Sequence, residues 1–154
     1  MSTGRPLPAV GTVISLTRTF GRDDLRKFVA LTGDSNPIHA ISDEAANGKV
    51  NNNQETFVNG ALLNGVIAGI IGTNFPGYVV TAQSFRFPNR CHLHTEVQFS
   101  VRVAELRKIV TVSYESKQND CIVFEGTAKC FRAEVTTLAN VWRAAKSVTT
   151  ELLA

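Results

Sequence analysis

The chain of 154 residues is poor in cysteine and proline and has no strong excess of charge of either sign. Its three cysteines, Cys91, Cys121 and Cys130, fit neither a disulfide framework nor a zinc motif, so we expect reduced thiols. The formal net charge of +3 is too small to indicate nucleic-acid binding. We find no signal-peptide pattern. A membrane-spanning segment is not expected either, because Asn64 and several glycines interrupt the longest apolar run. We therefore expect neither nucleic acid nor a membrane as a partner.

Length and composition predict one ordinary globular domain. Hydrophobic residues make up 44% of the chain and charged residues 19%, which is typical of proteins with a single packed core. We place this core at about residues 10–132. The remaining segment, 133–154, carries apolar residues at helical spacing, and both a C-terminal helix and a partly ordered tail are consistent with it.

Hydrophobic periodicity predicts an α+β fold. Residues 10–20 have the imperfect alternation of a first strand, and a helix is expected to start at Gly21 with Phe20 and Leu25 as a hydrophobic staple. A second helix is predicted over residues 60–73, and because it is apolar nearly all round it should be the core helix. The strands predicted downstream are 97–103, 109–117 and 121–131, with a hairpin turn at residues 119–120. Few helices and many strands favour an antiparallel sheet around the long helix.

A turn after the first predicted helix brings a carboxylate and an imidazole close together in sequence. Gly33 can adopt the left-handed conformation that ends a helix, and Pro37 restricts the residue before it. The turn then presents Asp34 and His39, two groups suited to general acid/base catalysis near neutral pH. A purely structural Asx turn with a solvated histidine is the alternative interpretation.

The order of these residues resembles a known family signature. Phe-x-x-Leu-Thr-Gly-Asp-x-Asn-Pro-Ile-His, from Phe28 to His39, is similar to the motif of the MaoC-like, R-specific hydratase family of hotdog-fold proteins. Residues 57–67, 72–77 and 83–87 are similar to further blocks of this family, and the resemblance extends to about residue 131. The amino-acid sequence of residues 63–65 and 72–77 is most similar to that of the mitochondrial 3-hydroxyacyl-thioester dehydratase type 2 branch.

The resemblance implies a single hotdog fold, with the antiparallel sheet wrapped around a long central helix. It also implies reversible syn dehydration of an (R)-3-hydroxyacyl thioester to the trans-2-enoyl thioester, without a metal or redox cofactor. Asp34 and His39 are the implied catalytic pair. The residues that the resemblance implies for the oxyanion and substrate are Gly60, Ala61, Asn59 and Asn36. Free N–H groups at a helix N-terminus would stabilise the developing enolate oxygen.

Two positions depart from the pattern of the family. Asn59 stands where the family commonly has a histidine before glycine, and an amide cannot replace an imidazole as an acid, although it can donate a hydrogen bond. Gly65 stands where bacterial R-specific hydratases tend to carry a serine. The mitochondrial-type branch shares this glycine.

The substrate carrier and the partners are expected from the resemblance. Type II fatty-acid synthesis on acyl carrier protein is the favoured role, with (R)-specific enoyl-CoA hydration and a non-catalytic acyl-binding subunit as alternatives. Thioester hydrolysis is a further alternative, although hotdog thioesterases lack this arrangement of residues. A homodimer is implied, and the phosphopantetheine belongs to the substrate. The arginines and lysine expected to attract its phosphate or an acidic carrier protein, if they are not simply solvated, are Arg86, Arg90, Arg102, Arg107 and Lys108.

Two further expectations concern metals and location. In the sequence from Cys91 to His94, His92 and His94 could place two imidazoles on one face of a strand. A metal needs at least a third ligand and none follows at motif spacing, so we expect no metal site. Residues 1–9 do not resemble a standard mitochondrial presequence. A mitochondrial matrix location in a eukaryote therefore rests on the branch resemblance, and a cytoplasmic location is expected otherwise.

Overall fold

The computed structural model describes residues 6–34, 36–39 and 56–133. These described residues form two α-helices, one short 3-10 helix and five strands. In chain order these are β1 (Val13–Thr19), α1 (Arg22–Thr32), the 3-10 helix (Pro37–His39), α2 (Gly60–Asn74), β2 (Tyr78–Arg86), β3 (Glu96–Leu106), β4 (Ile109–Gln118) and β5 (Cys121–Arg132). The tail predictions for residues 134–154 lie outside the described residues. Within the described ranges, neither α-helix has the length and hydropathy needed to cross a membrane.

The five strands form one antiparallel sheet in the order β1-β3-β4-β5-β2. Along β3 and β4, alternate side chains are buried, as the period-two pattern predicts. Residues Asn119 and Asp120 both have positive φ and join β4 to β5 in a two-residue hairpin, which confirms the predicted turn. The α+β class and the hotdog architecture are therefore confirmed.

Strand β2 was missing from the sequence prediction. It pairs with β5 and carries an irregularity in register between Val80 and Ala82. This irregularity, together with mostly exposed side chains on both faces, removes the regular alternation that marks a half-buried strand. The β-branched and aromatic residues of β2 were the remaining indication of a strand in the sequence.

Helix α2 packs on the sheet through its large side chains and through one amide pair. Leu63, Ile67, Ile70 and Ile71 are buried, and the Asn64 and Gln83 side chains donate to each other at 3.3 and 3.2 Å. The opposite face has Gly65, Ala68, Gly69 and Gly72 and is exposed. In the single chain, the expectation of a core helix buried on every side was therefore wrong, because the sheet covers only the face of α2 that carries the large residues.

Gly126 provides a test of the packing between β2, β4 and β5. A Cβ atom there would lie 2.7 Å from Tyr114 Oη and 2.8 Å from Phe85 Cβ, with the Ser84 carbonyl also in contact. Because backbone cannot move aside as a side-chain tip can, Gly126→Ala should lower the free energy of unfolding by about 2 kcal/mol or more. Urea denaturation measures this. Gly69→Ala is the control, since its Cβ would meet nothing within 4 Å; equal losses in both variants would contradict the packing.

Candidate active site

The turn that carries Asp34 begins where α1 ends. Gly33 adopts the left-handed conformation with φ of 72°, and its N–H donates to the Val29 carbonyl at 2.8 Å. This is the predicted glycine C-cap, and it directs the chain sharply away from the helix axis. Asp34 therefore directly follows the glycine that caps the helix, at a fixed position relative to α1.

Both carboxylate oxygens of Asp34 accept hydrogen bonds. The Asn36 backbone N–H donates to Oδ1 at 3.0 Å, which forms the Asx turn. The Asn59 side-chain Nδ2 donates to Oδ2 at 2.6 Å from a residue 25 positions away. Asn59 is only 2% exposed, so the carboxylate is held by a buried amide. The structural Asx turn and the long-range contact occur together, and the turn alone does not account for the site.

The ring of His39 is oriented by the same segment that holds Asp34. Its Nδ1 lies 2.8 Å from the Phe57 carbonyl oxygen. A carbonyl only accepts, so Nδ1 carries the hydrogen in this contact and Nε2 is the nitrogen left for chemistry. Neutral His39 then offers an acceptor at Nε2, and protonated His39 offers a donor there.

Residues 57–59 connect these two groups to the N-terminus of α2. The Phe57 N–H donates to the Ile38 carbonyl at 3.4 Å and the Val58 N–H donates to the Cys91 carbonyl at 2.8 Å. Leu62 and Leu63 donate their N–H groups to the Asn59 carbonyl. The first N–H groups of α2, on Gly60 and Ala61, precede the helical ladder and form the positive end of the helix dipole. We call residues 57–59 the bracing segment.

One buried polar atom of the bracing segment has no partner. Asn59 Oδ1 is inaccessible and accepts no hydrogen bond from the described residues. An unpaired buried acceptor costs about 1–3 kcal/mol. The chain therefore retains an amide at a position where an apolar side chain of similar size would avoid that cost.

A cavity of about 800 Å³ lies beside the bracing segment. His39, Val58 and Gly60 line it. Asp34 is not a lining residue, but it is hydrogen-bonded to Asn59, which stands between Val58 and Gly60 in the chain. A second concavity of about 610 Å³, on the outer face of the sheet, contains neither Asp34 nor His39. Only the first cavity brings an acid/base group to the N-terminus of α2, so we assign the site there.

Both apolar and polar side chains line the cavity. Its apolar lining residues include Val58, Leu63, Phe87 and Val123. The polar lining residues include His39, Asn89, Arg90, His92, Gln118 and Asn119. The Arg90 guanidinium also lies 4.8 Å from the centre of the Phe57 ring, so one cation of the lining contacts the bracing segment.

Burial lowers the reactivity of the Cys91 thiol at this cavity, and the described residues contain no cluster of metal ligands. Cys91 is buried, and this burial raises its pKa to about 11, so its thiol is protonated near neutral pH and is a poor nucleophile. Cys121 is exposed. Among the described residues, no three His, Cys, Asp or Glu side chains are grouped to bind an ion.

The structure brings some of the site residues predicted from the sequence together, but not all of them. Asp34, His39, Asn59 and Gly60 all lie on or against the bracing segment. Asn36 is exposed, and its side-chain oxygen accepts the Ile38 N–H at 3.3 Å, within the turn. The contact between His39 and the Phe57 carbonyl could not be predicted from the sequence, because every residue has a backbone carbonyl and the residue type does not mark it.

Comparisons with known proteins place this chain in a family. The family described as MaoC like domain matches residues 5–125. The mitochondrial 3-hydroxyacyl-[acyl-carrier-protein] dehydratase of Arabidopsis thaliana is 28% identical over 131 residues, covering 80% of this chain and 77% of its own. The (R)-specific enoyl-CoA hydratase of Aeromonas caviae is 31% identical over 103 residues, covering 64% of this chain and 73% of its own.

Solved structures agree with the sequence relatives. The (R)-hydratase of A. caviae superimposes with a TM-score of 0.68 at 27% identity, covering 80% of this chain and 96% of its own. R-hydratase PhaJ1 from Pseudomonas aeruginosa superimposes with a TM-score of 0.69 at 26% identity, covering 82% of this chain and 83% of its own. The chain belongs to the MaoC-like family of hotdog-fold dehydratases and hydratases.

Proposed function

We propose that the chain catalyses the reversible dehydration of (R)-3-hydroxyacyl thioesters to trans-2-enoyl thioesters, on acyl carrier protein in type II fatty-acid synthesis. The observation that carries this proposal is the bracing segment, which binds Asp34 through Asn59 and His39 through Phe57 and then leads directly into α2. Two acid/base groups and a helix N-terminus are the parts that the reaction needs. The dehydratase and hydratase relatives support the same chemistry.

In the dehydration direction, one group of the Asp34/His39 pair takes the C2 proton and the other protonates the leaving C3 hydroxyl. The C–H electron pair forms the double bond, and the C3–O bond breaks to release water. Hydration reverses these steps. His39 acts through Nε2, since Nδ1 is bonded to the Phe57 carbonyl.

In this proposal, the thioester carbonyl oxygen binds at the N–H groups of Gly60 and Ala61. Removing the C2 proton transfers negative charge to that oxygen, and preorganised N–H donors at a helix N-terminus stabilise it. Only protons and a hydroxyl group move in this reaction, so we propose that no metal or redox cofactor takes part.

Arg90 is the cation best placed for the phosphate of the pantetheine arm. It lines the cavity. By contrast, Arg86 pairs with Glu125, and Arg102 donates to the Gly11 carbonyl at 3.4 Å. The acyl chain then packs against apolar lining residues such as Leu63 and Val123.

We further propose a homodimer formed along β2. This strand pairs only with β5 in the described sheet, so its outer edge is unpaired. Val79 and Phe85 on this strand are exposed apolar side chains. A second copy would satisfy the edge and cover apolar surface together. The Arabidopsis thaliana relative is named mitochondrial, which favours the mitochondrial matrix if the source is a eukaryote.

Removing either acid/base group tests the proposed reaction. Asp34→Asn and His39→Ala should each lower the turnover of crotonyl thioesters by about 10²- to 10⁴-fold, because proton transfer loses a positioned partner. Loss of enoyl absorbance measures this with crotonyl-CoA and crotonyl acyl carrier protein, and the second should have the higher kcat/KM. Asp23→Asn, an exposed carboxylate on α1, is the control. Unchanged rates in both site variants, with melting temperatures preserved, would contradict the proposal.

Asn59→Leu separates positioning from stability. The variant removes the N–H donor to Asp34, so kcat should fall about 10- to 100-fold with little change in KM. It also removes the unpaired Oδ1, so the melting temperature should stay equal or rise. Asn59→His, which keeps a ring N–H donor, should retain more activity than Asn59→Leu. A lower melting temperature with unchanged kcat would indicate a structural role instead.

A further inference from the structure

Gln118, the last residue of β4, has a buried side chain that binds the backbone of the turn at residues 92–95. Its Oε1 accepts the His92 N–H at 2.8 Å. Its Nε2 donates to the carbonyls of His92 at 2.9 Å and of Thr95 at 3.2 Å. A side-chain amide nitrogen carries two hydrogens, and the turn uses both. Gln118 lines the cavity, but it therefore has no N–H group left for a substrate.

The turn that Gln118 holds contains a residue in an uncommon conformation. His94 has φ of 58°, in the left-handed region that residues other than glycine seldom adopt. The carbonyls that accept from Gln118 belong to the two ends of this turn, residues 92 and 95. The Gln118 amide thus closes the turn around His94.

The bracing segment packs on the beginning of this turn. The Cys91 carbonyl accepts the Val58 N–H at 2.8 Å, and His92 pairs with Phe57 in an antiparallel bridge. The rings of Phe57 and His92 also meet edge to face, at 5.3 Å between centroids. Phe57 in turn provides the carbonyl that orients His39. A chain of contacts therefore runs from the end of β4 through the turn to the His39 ring.

We propose that Gln118 is a positioning residue of the active site, which fixes the orientation of the His39 ring through the 92–95 turn and the bracing segment. This inference rests on the proposed function, because it gives the orientation of His39 a role in proton transfer. The anchor is rigid, since β4 is the central strand of the sheet and pairs with β3 and β5. Small displacements of a reacting group are costly to the rate, so a fixed anchor is useful there.

The tautomer of the His39 ring tests the inference without relying on turnover. Long-range proton–nitrogen NMR spectra of the full chain, at a pH where the ring is neutral, show which ring nitrogen carries the hydrogen. The His39→Ala variant assigns the signal. In the wild type the hydrogen should be on Nδ1, as the contact with the Phe57 carbonyl requires. In Gln118→Met, which keeps the length of the side chain and removes its amide, we expect a mixture of both tautomers.

The rate of crotonyl-CoA hydration should change together with the tautomer. Gln118→Met should lower kcat about 10- to 100-fold with little change in KM, because the ring loses its geometry for proton transfer. Gln118→Asn keeps an amide on a shorter side chain, so it should lie between the wild type and Gln118→Met in both measurements. It also provides the test if Gln118→Met does not fold.

Val112→Ala is the control for a general loss of stability. Val112 is buried on the same strand and does not line the cavity beside His39. Its truncation should lower the melting temperature but leave the His39 tautomer unchanged and kcat within about twofold of the wild type.

Retention of the hydrogen on Nδ1 in Gln118→Met would overturn the inference, and so would an unchanged kcat in that variant when the wild type is active. Equal effects of Val112→Ala and Gln118→Met on the tautomer and kcat would overturn it as well, because stability alone would then explain them. Failure of the proposed function is distinguishable. The wild type would then leave crotonyl thioesters unreacted, while the tautomer would still change in Gln118→Met.

Discussion

The site depends on the hydrogen bond from the buried Asn59 amide to the Asp34 carboxylate, at 2.6 Å. Two separate parts of the chain meet there: the turn that follows α1 and the residue immediately before α2. Two residues earlier, the Phe57 carbonyl orients the His39 ring. A single extended segment thus holds both acid/base groups at the helix N-terminus, and neither group depends on its own turn alone.

This arrangement has an energetic cost that an apolar residue would not carry. Asn59 is buried with one oxygen that has no partner among the described residues, and a site selected for stability alone would avoid such an oxygen. The retained amide instead supplies a charge-assisted contact to a carboxylate, which fixes the geometry more strictly than a neutral hydrogen bond does. Precise placement of reacting groups is a large part of catalysis, and this accounts for a polar residue in a dry position.

Sequence reasoning succeeded where the signal is local. The cap at Gly33, the helix that starts after Gly21 and the two-residue hairpin all depend on conformational preferences of a few neighbouring residues. It failed where the determining contact is distant. The β2 pairing with β5, the exposed small-residue face of α2 and the Phe57 carbonyl each depend on chain segments brought together only by folding.

The family resemblance identified Asp34 and His39 and marked Asn59 as a departure, but spacing alone left Asn59 without a role. Only the folded chain places its Nδ2 against Asp34. Phe87 is a similar case. Phe87 stands next to Pro88 in the sequence, and nothing there indicates that its ring lies over Gly60, because Gly60 and Phe87 are 27 positions apart.

The configuration at C3 of the hydration product tests the central claim most directly. Wild-type protein incubated with crotonyl thioester should yield predominantly one enantiomer, because the bracing segment holds Asp34 and His39 in one arrangement. The proposed reaction requires this enantiomer to be the (R)-3-hydroxybutyryl product. Chiral chromatography after thioester cleavage measures this. A predominantly (S) or racemic product, formed at a rate that depends on Asp34, would contradict the account.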